Sequence, residues 1–124
     1  MGRQINVHCG NISVTAILND STTARKLWDV LPIETKATTW GGEIYFTIPV
    51  NMDEENSKTT VSAGDIAYWP PGRAFCIFFG ITPASIGDEI RPASPVNIIG
   101  RIEGDLKIFK NVITGMRVRI TRCD

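Results

Sequence analysis

Apolar and polar residues alternate with a period of two at both ends of the chain. Ile5, Val7 and Cys9 alternate with Gln4, Asn6 and His8, and after Gly10-Asn11 the residues Ile12, Val14, Ala16 and Leu18 alternate with Ser13, Thr15 and Ile17. Near the far end Met116, Val118 and Ile120 alternate with Arg117, Arg119 and Thr121. Successive side chains of a strand point to opposite faces, so this period specifies strands buried on one face. The Gly-containing two-residue break between the first two runs predicts a β-hairpin. A chain built this way must pair or cover its strand edges, and that demand limits the folds open to it.

The period changes once clearly. Ala24, Leu27, Trp28 and Leu31 stand at i, i+3, i+4 and i+7, the stripe of a short amphipathic helix. Asp20 and Ser21 are suitable N-caps and Pro32 closes the far end. Ile33 to Trp40, Gly41-Gly42 and Glu43 to Ile48 read as a second hairpin, and Asn51 to Lys58 as a polar surface loop. Gly64-Asp65 opens a strand through Trp69, Pro70-Pro71-Gly72-Arg73 turns the chain, and Ala74 to Phe79 returns. After a long loop, Thr82 to Pro95, come a strand at Val96 to Ile102 and a short helix capped by Asp105 that places Leu106, Phe109 and Val112 on one side. Gly115 ends that helix before the last strand. The expected architecture is mostly β: a closed eight-stranded antiparallel barrel whose ends are capped by two short helices. At 124 residues it is a single domain, 1–124.

Charge and cysteine content narrow the functional classes. The 13 basic and 13 acidic residues cancel, so neither a nucleic-acid partner nor a polybasic route to a membrane is expected. From Arg101 to Arg122 six basic residues face only Glu103 and Asp105, which reads first as the solvated face of a strand. Cys9, Cys76 and Cys123 form no paired spacing, and with His8 as the one histidine no metal site, disulfide framework or cofactor is expected. No signal-peptide pattern or long apolar run is present, so the expected location is the cytoplasm.

The segment that points to a site is Ala74 to Phe79. Ala74, Cys76 and Phe78 are apolar on one face, and Phe75, Ile77 and Phe79 on the other. Only one face of a barrel strand belongs to the core. The other must be covered by the long loop, by a second copy of the chain or by a ligand, so a homo-oligomer through this strand is one reading. The 14-residue loop from Thr82 to Pro95, in which Pro-Ala-Ser occurs twice, is long enough to act as a lid or wall. The candidate ligand-binding residues are Trp40, Glu43, Tyr45, Trp69, Arg73, Phe75, Ser85, Arg91 and Asn97. Thr82 and Ser94 are further polar groups near that rim, and Asn97 and Arg101 fall by parity on the same face of the Val96 to Ile102 strand, which reads first as solvated or paired with Asp or Glu. Trp40 reads equally as a hairpin anchor and as an aromatic binding wall. No nucleophile elbow, phosphate loop or dinucleotide fingerprint occurs, so no catalytic residue is assigned.

Gly42-Glu43-Ile44-Tyr45-Phe46, Gly64-Asp65-Ile66-Ala67-Tyr68-Trp69-Pro70-Pro71-Gly72, Cys76 to Gly80 and Ala93 to Gly100 resemble an uncharacterised cyclophilin-like family of small bacterial and archaeal proteins, the atypical cyclophilins. The resemblance spans essentially the whole chain and implies the same barrel with two capping helices. Typical cyclophilins are peptidyl-prolyl isomerases with Phe-His-Arg and Phe-Met-x-Gln-Gly-Gly on their third and fourth strands. Here those strands read Ala37-Thr38-Thr39-Trp40 and Glu43-Ile44-Tyr45-Phe46, without Arg or Gln. An Arg near the prolyl nitrogen eases loss of amide resonance against a barrier of about 18–20 kcal/mol. Arg73 is the candidate substitute, from another position. The first expectation is therefore a module that binds a small molecule or an extended, proline-containing peptide in an outer-barrel groove. The alternatives are an isomerase with rebuilt chemistry and a dimerising interaction protein.

Overall fold

The alternating runs pair as the hairpin they predict. In the computed structural model, which describes residues 2–123, β1 (Gln4–Cys9) and β2 (Ile12–Leu18) are antiparallel, with Cys9 opposite Ile12 across the turn. Gly10 takes φ +60° there, a conformation that glycine adopts without strain. The helix α1 (Thr22–Asp29) follows, with Ser21 as N-cap accepting from the Ala24 N–H at 3.1 Å. Its Ala24 and Leu27 are buried on the barrel core.

The run from Ile33 to Trp40 is two strands rather than one. β3 (Ile33–Lys36) pairs with the last strand, β4 (Thr38–Trp40) pairs with β5 (Glu43–Thr47), and the chain bends at Ala37 between them. Ala37 is buried, donates its N–H to the Met116 carbonyl and accepts from the Gly115 N–H, each at 2.8 Å. One stretch of chain therefore holds both margins of the sheet. β6 (Asp65–Trp69), β7 (Ala74–Phe78), β8 (Asn97–Glu103) and β9 (Arg117–Arg122) complete it in the order β3-β9-β1-β2-β8-β6-β7-β5-β4. Every pairing is antiparallel, and the barrel is nearly closed.

The second helix, Leu106–Asn111, is 3-10 rather than α, so the barrel carries one short α-helix. The three-residue spacing of Leu106, Phe109 and Val112 suits that tighter period. Phe109 is buried against Phe79, ring centroids 5.9 Å apart.

β7 separates two apolar layers. Phe75 and Ile77 point into the barrel with Ile44, Phe46, Ile66 and Tyr68, and Phe75 stacks on Phe46 at 5.1 Å. Ala74, Cys76 and Phe78 point outward and join Ala67, Ile90 and Val96 in a smaller cluster. The chain's own long loop thus supplies the cover for the outer face, leaving no apolar residue of β7 exposed.

Asn97 anchors a third feature. Its buried side chain donates to Thr23 Oγ1 at 3.2 Å and to the Asp53 carbonyl at 2.9 Å, and accepts from the Glu55 N–H at 2.8 Å. Glu55 in turn accepts from the N–H groups of Thr22 and Thr23, each at 3.0 Å, and from Thr23 Oγ1 at 2.7 Å. These bonds, the Thr23 hydroxyl foremost, hold the Glu55 carboxyl below its ordinary range. Asn97→Ala removes one amide and leaves the buried Thr23 hydroxyl, the Asp53 carbonyl and the Glu55 N–H without it, so a loss of about 1–3 kcal/mol is expected. Faster amide hydrogen exchange at Thr22 and Thr23 would accompany it, and unchanged exchange there would refute the link to α1.

Candidate functional site

The loop does not cover the outer face completely. Between the β4–β5 turn, the end of β6 and the second Pro-Ala-Ser run lies a cleft of about 260 Å³ lined by Trp40, Glu43, Tyr45, Trp69, Pro92 and Ala93. Strand register explains the grouping. Trp40 stands directly opposite Glu43, and Tyr45 is two residues further along the same face of β5. Directly opposed residues of an antiparallel pair have Cβ atoms about 4.5–5.5 Å apart, so these side chains share one patch. Trp69 ends β6, and its Nε1–H donates to Ser94 Oγ at 2.6 Å, tying the ring to the loop.

Two glycines permit this geometry. A Cβ on Gly42 would stand 2.2 Å from the Gly80 carbonyl carbon, so the turn and the start of the loop touch through backbone alone. The Gly42 carbonyl accepts from Phe79 N–H at 2.8 Å, and the Gly42 N–H donates to the Ile81 carbonyl at 2.7 Å. Beneath Trp69, a Cβ on Gly72 would lie 2.6 Å from Cζ3 of the indole.

Glu43 is the chemically distinctive member. Only 6% of it is exposed, and among the described residues no cation pairs with it. Burial pushes its carboxyl up from 4.5 to about 7, and hydrogen bonding by the Cys76 thiol offsets part of that rise. The Cys76 thiol is itself pushed well above its ordinary value, by burial first and then by the charge of Glu43. A carboxyl near neutrality in an aromatic cleft can exchange a proton, donate a hydrogen bond when protonated, or neutralise a cation when ionised.

Four of the nine candidate residues, Trp40, Glu43, Tyr45 and Trp69, meet at this cleft. The other five do not. Phe75 lies in the barrel interior, because a strand apolar on both faces carries no signal of which face is inward. Arg73 follows the 3-10 turn Pro70–Gly72 in a left-handed conformation, φ 47° and ψ 47°, and lines a separate hollow with Lys26, Asn51 and Asp53. Ser85 Oγ accepts from the Thr82 N–H at 2.9 Å and the Arg91 N–H at 3.2 Å, bracing the loop from within. Arg91 folds back on Glu89, Nε to Oε2 2.6 Å. Asn97 is spent on the helix anchor described above.

Asn97 and Arg101 also part company. β8 has a register shift, with Ile66 opposite Gly100 but Ala67 opposite Ile98, so Ile99 is an extra residue that inverts the alternation. Arg101 is consequently exposed and pairs with Asp65 at 3.3 Å. Pro92 and Ala93 are lining residues that the candidate set lacks. The repeated Pro-Ala-Ser was their signal, since its second copy supplies Pro92, Ala93 and the Ser94 that fixes Trp69.

Among the described residues no cluster of three or more His, Cys, Asp or Glu is arranged to hold a metal, and no helix is long and apolar enough to cross a membrane. Fold and cleft together define a class: a small antiparallel β-barrel with a loop-walled aromatic cleft on its outer surface. The sequence profile of the cyclophilin-like family matches residues 3–121, and the chain belongs to that family. It is similar to a hypothetical protein from Archaeoglobus fulgidus known from its solution structure, at 41% identity and a TM-score of 0.83. That match covers 98% of this chain and 95% of the archaeal one. Comparison with curated proteins gives no match.

Proposed function

We propose that this cyclophilin-like barrel is a binding module whose outer cleft takes a small molecule, or one side chain of an extended peptide. The supporting observation is Glu43, a carboxyl with little water and no cationic partner among the described residues, set in aromatic walls. Burying such a group costs stability that an apolar residue would not, and the barrel has no packing need for it. At about 260 Å³ the cleft is just below the usual range for ligand pockets, about 300–1,000 Å³, which suits one ring or one branched head group.

Isomerase chemistry finds less support. Among the described residues no cationic side chain lines the cleft, and Arg73, the candidate substitute for the usual Arg, lines a different hollow. A prolyl-peptide assay at high protein concentration is expected to give only the uncatalysed rate. Dimerisation through Ala74–Phe79 would require an outer face that the loop already covers.

The three tryptophans provide the test. Trp40 and Trp69 line the cleft, whereas the Trp28 ring is engaged by the guanidinium groups of Arg3 and Arg122, at 5.1 and 4.8 Å from its centroid. In proton–nitrogen NMR spectra, a panel of small amines, carboxylic acids, aromatic fragments and an Ala-Pro peptide is added at millimolar concentration. At least one member is expected to move the indole signals of Trp40 and Trp69 while that of Trp28 stays fixed. Tyr45→Ala should weaken that response several-fold. If no probe moves the two cleft indoles selectively, the cleft is not a binding site.

A further inference from the structure

The walls of the cleft specify more than an apolar occupant. Three of its lining residues, Trp40, Tyr45 and Trp69, are aromatic, and a fourth is Glu43. Aromatic faces carry a partial negative charge and attract cations. Trp69 already spends its one donor on Ser94, so its polar edge is occupied while its ring remains part of the cleft wall. The loop cation Arg91 is paired with Glu89 and does not line the cleft. An anion would meet the Glu43 carboxylate with no cation in the lining to offset it. A strongly hydrated metal ion would find a single oxygen-bearing acid where several oxygen ligands are required. A weakly hydrated organic cation meets one carboxylate and three aromatic rings.

Resting on the reading of this cleft as a binding site, we propose that its occupant is an alkylammonium group, above all a methylated one, held against Trp40, Tyr45 and Trp69 with Glu43 as counter-ion. A free quaternary amine and a methylated lysine on a peptide share this chemistry. The groups facing Glu43 are Trp40 from β4, Tyr45 from its own strand, Phe78 and Cys76 from β7, and Pro92 and Ala93 from the loop. Among these, burial pushes the Cys76 thiol well above its ordinary value and keeps it protonated throughout the neutral range. Since the carboxyl titrates at about 7, the competent ionised form grows about tenfold from pH 6 to pH 8, and affinity should follow it.

The test uses the whole chain with choline, its uncharged isostere 3,3-dimethylbutan-1-ol, and a short peptide carrying trimethyllysine. Choline or the peptide is expected to move the Trp40 and Trp69 indoles but not Trp28, and the isostere to bind at least tenfold more weakly. Which of the two cations binds tighter tells the free amine from the peptide source. Affinity should rise about tenfold between pH 6 and pH 8, and Glu43→Gln, equal in size, should weaken the preference for charge and abolish the pH dependence. An isostere that binds as well as choline would overturn the cation assignment while leaving the binding site intact. The same holds if neither cation moves the indoles but another fragment does. If no probe moves them, both readings fall.

Discussion

Phe75→Ala is expected to lower the stability of the barrel by about 3–5 kcal/mol, the usual cost of emptying a buried phenylalanine site. The ring is wholly buried, stacks on Phe46 at an interplanar angle of 13°, and sits among Ile44, Ile66, Tyr68 and Ile77. Its removal leaves a void with β-strand backbone on both sides, which cannot collapse without breaking the β5–β7 and β6–β7 ladders. Small domains hold only about 5–15 kcal/mol in total, so the variant should unfold at a much lower urea concentration. Phe75→Leu should recover more than half of the loss. Tyr45→Ala, half-buried on the outer face, should cost far less and act on the cleft instead. A Phe75→Ala loss below about 1 kcal/mol would mean that the inward face of β7 is wrongly assigned.

This contrast also marks where sequence reasoning reaches its limit. Where one face is polar, as in Gln4–Cys9 or from Arg117 to Thr121, alternation identifies the buried side, and the structure agrees residue by residue. Ala74–Phe78 has no polar face, so its pattern fixes a strand without fixing its orientation. The same loss of information occurs at Ile99, where one extra residue inverts parity and separates Asn97 from Arg101. The bend at Ala37 is equally silent in the sequence, because the signal is a hydrogen bond to each of two distant residues, Met116 and Gly115.

The cleft was legible to the extent that its residues share a strand face. Trp40, Glu43 and Tyr45 follow from one hairpin, whose two-residue turn sets Trp40 against Glu43. The residues from the turns and the long loop were not legible, since their direction depends on tertiary contacts. A left-handed residue at Arg73 turns it toward Lys26, and an ion pair two residues apart folds Arg91 onto Glu89. Neither event alters a periodicity. Wherever a polar side chain has a local partner, its chemical suitability for a ligand says little about whether it reaches one.

Glu43→Gln should stabilise the protein by about 2–3 kcal/mol at pH 8 and leave it nearly unchanged at pH 4. Burial raises the carboxyl from 4.5 to about 7, a shift equivalent to about 3 kcal/mol. Below pH 4.5 the group is protonated both folded and unfolded, so it has no effect on the pH dependence. As the pH rises, the unfolded chain ionises first, and each step favours unfolding until the folded carboxyl also ionises near 7. Stability of the native sequence therefore falls between pH 4.5 and 7 and is level above. Gln has the size of the protonated acid and no proton to lose, so the variant escapes this decline. Glu55, whose carboxyl is held low by its bonds to Thr22 and Thr23, acts in the opposite sense at more acidic pH, and it is common to both proteins. Urea unfolding at pH 4, 5, 6, 7 and 8 isolates Glu43 as the widening gap between the two. A gap independent of pH would show that Glu43 titrates like an ordinary surface acid, and the cleft would then hold no stored charge for a ligand to neutralise.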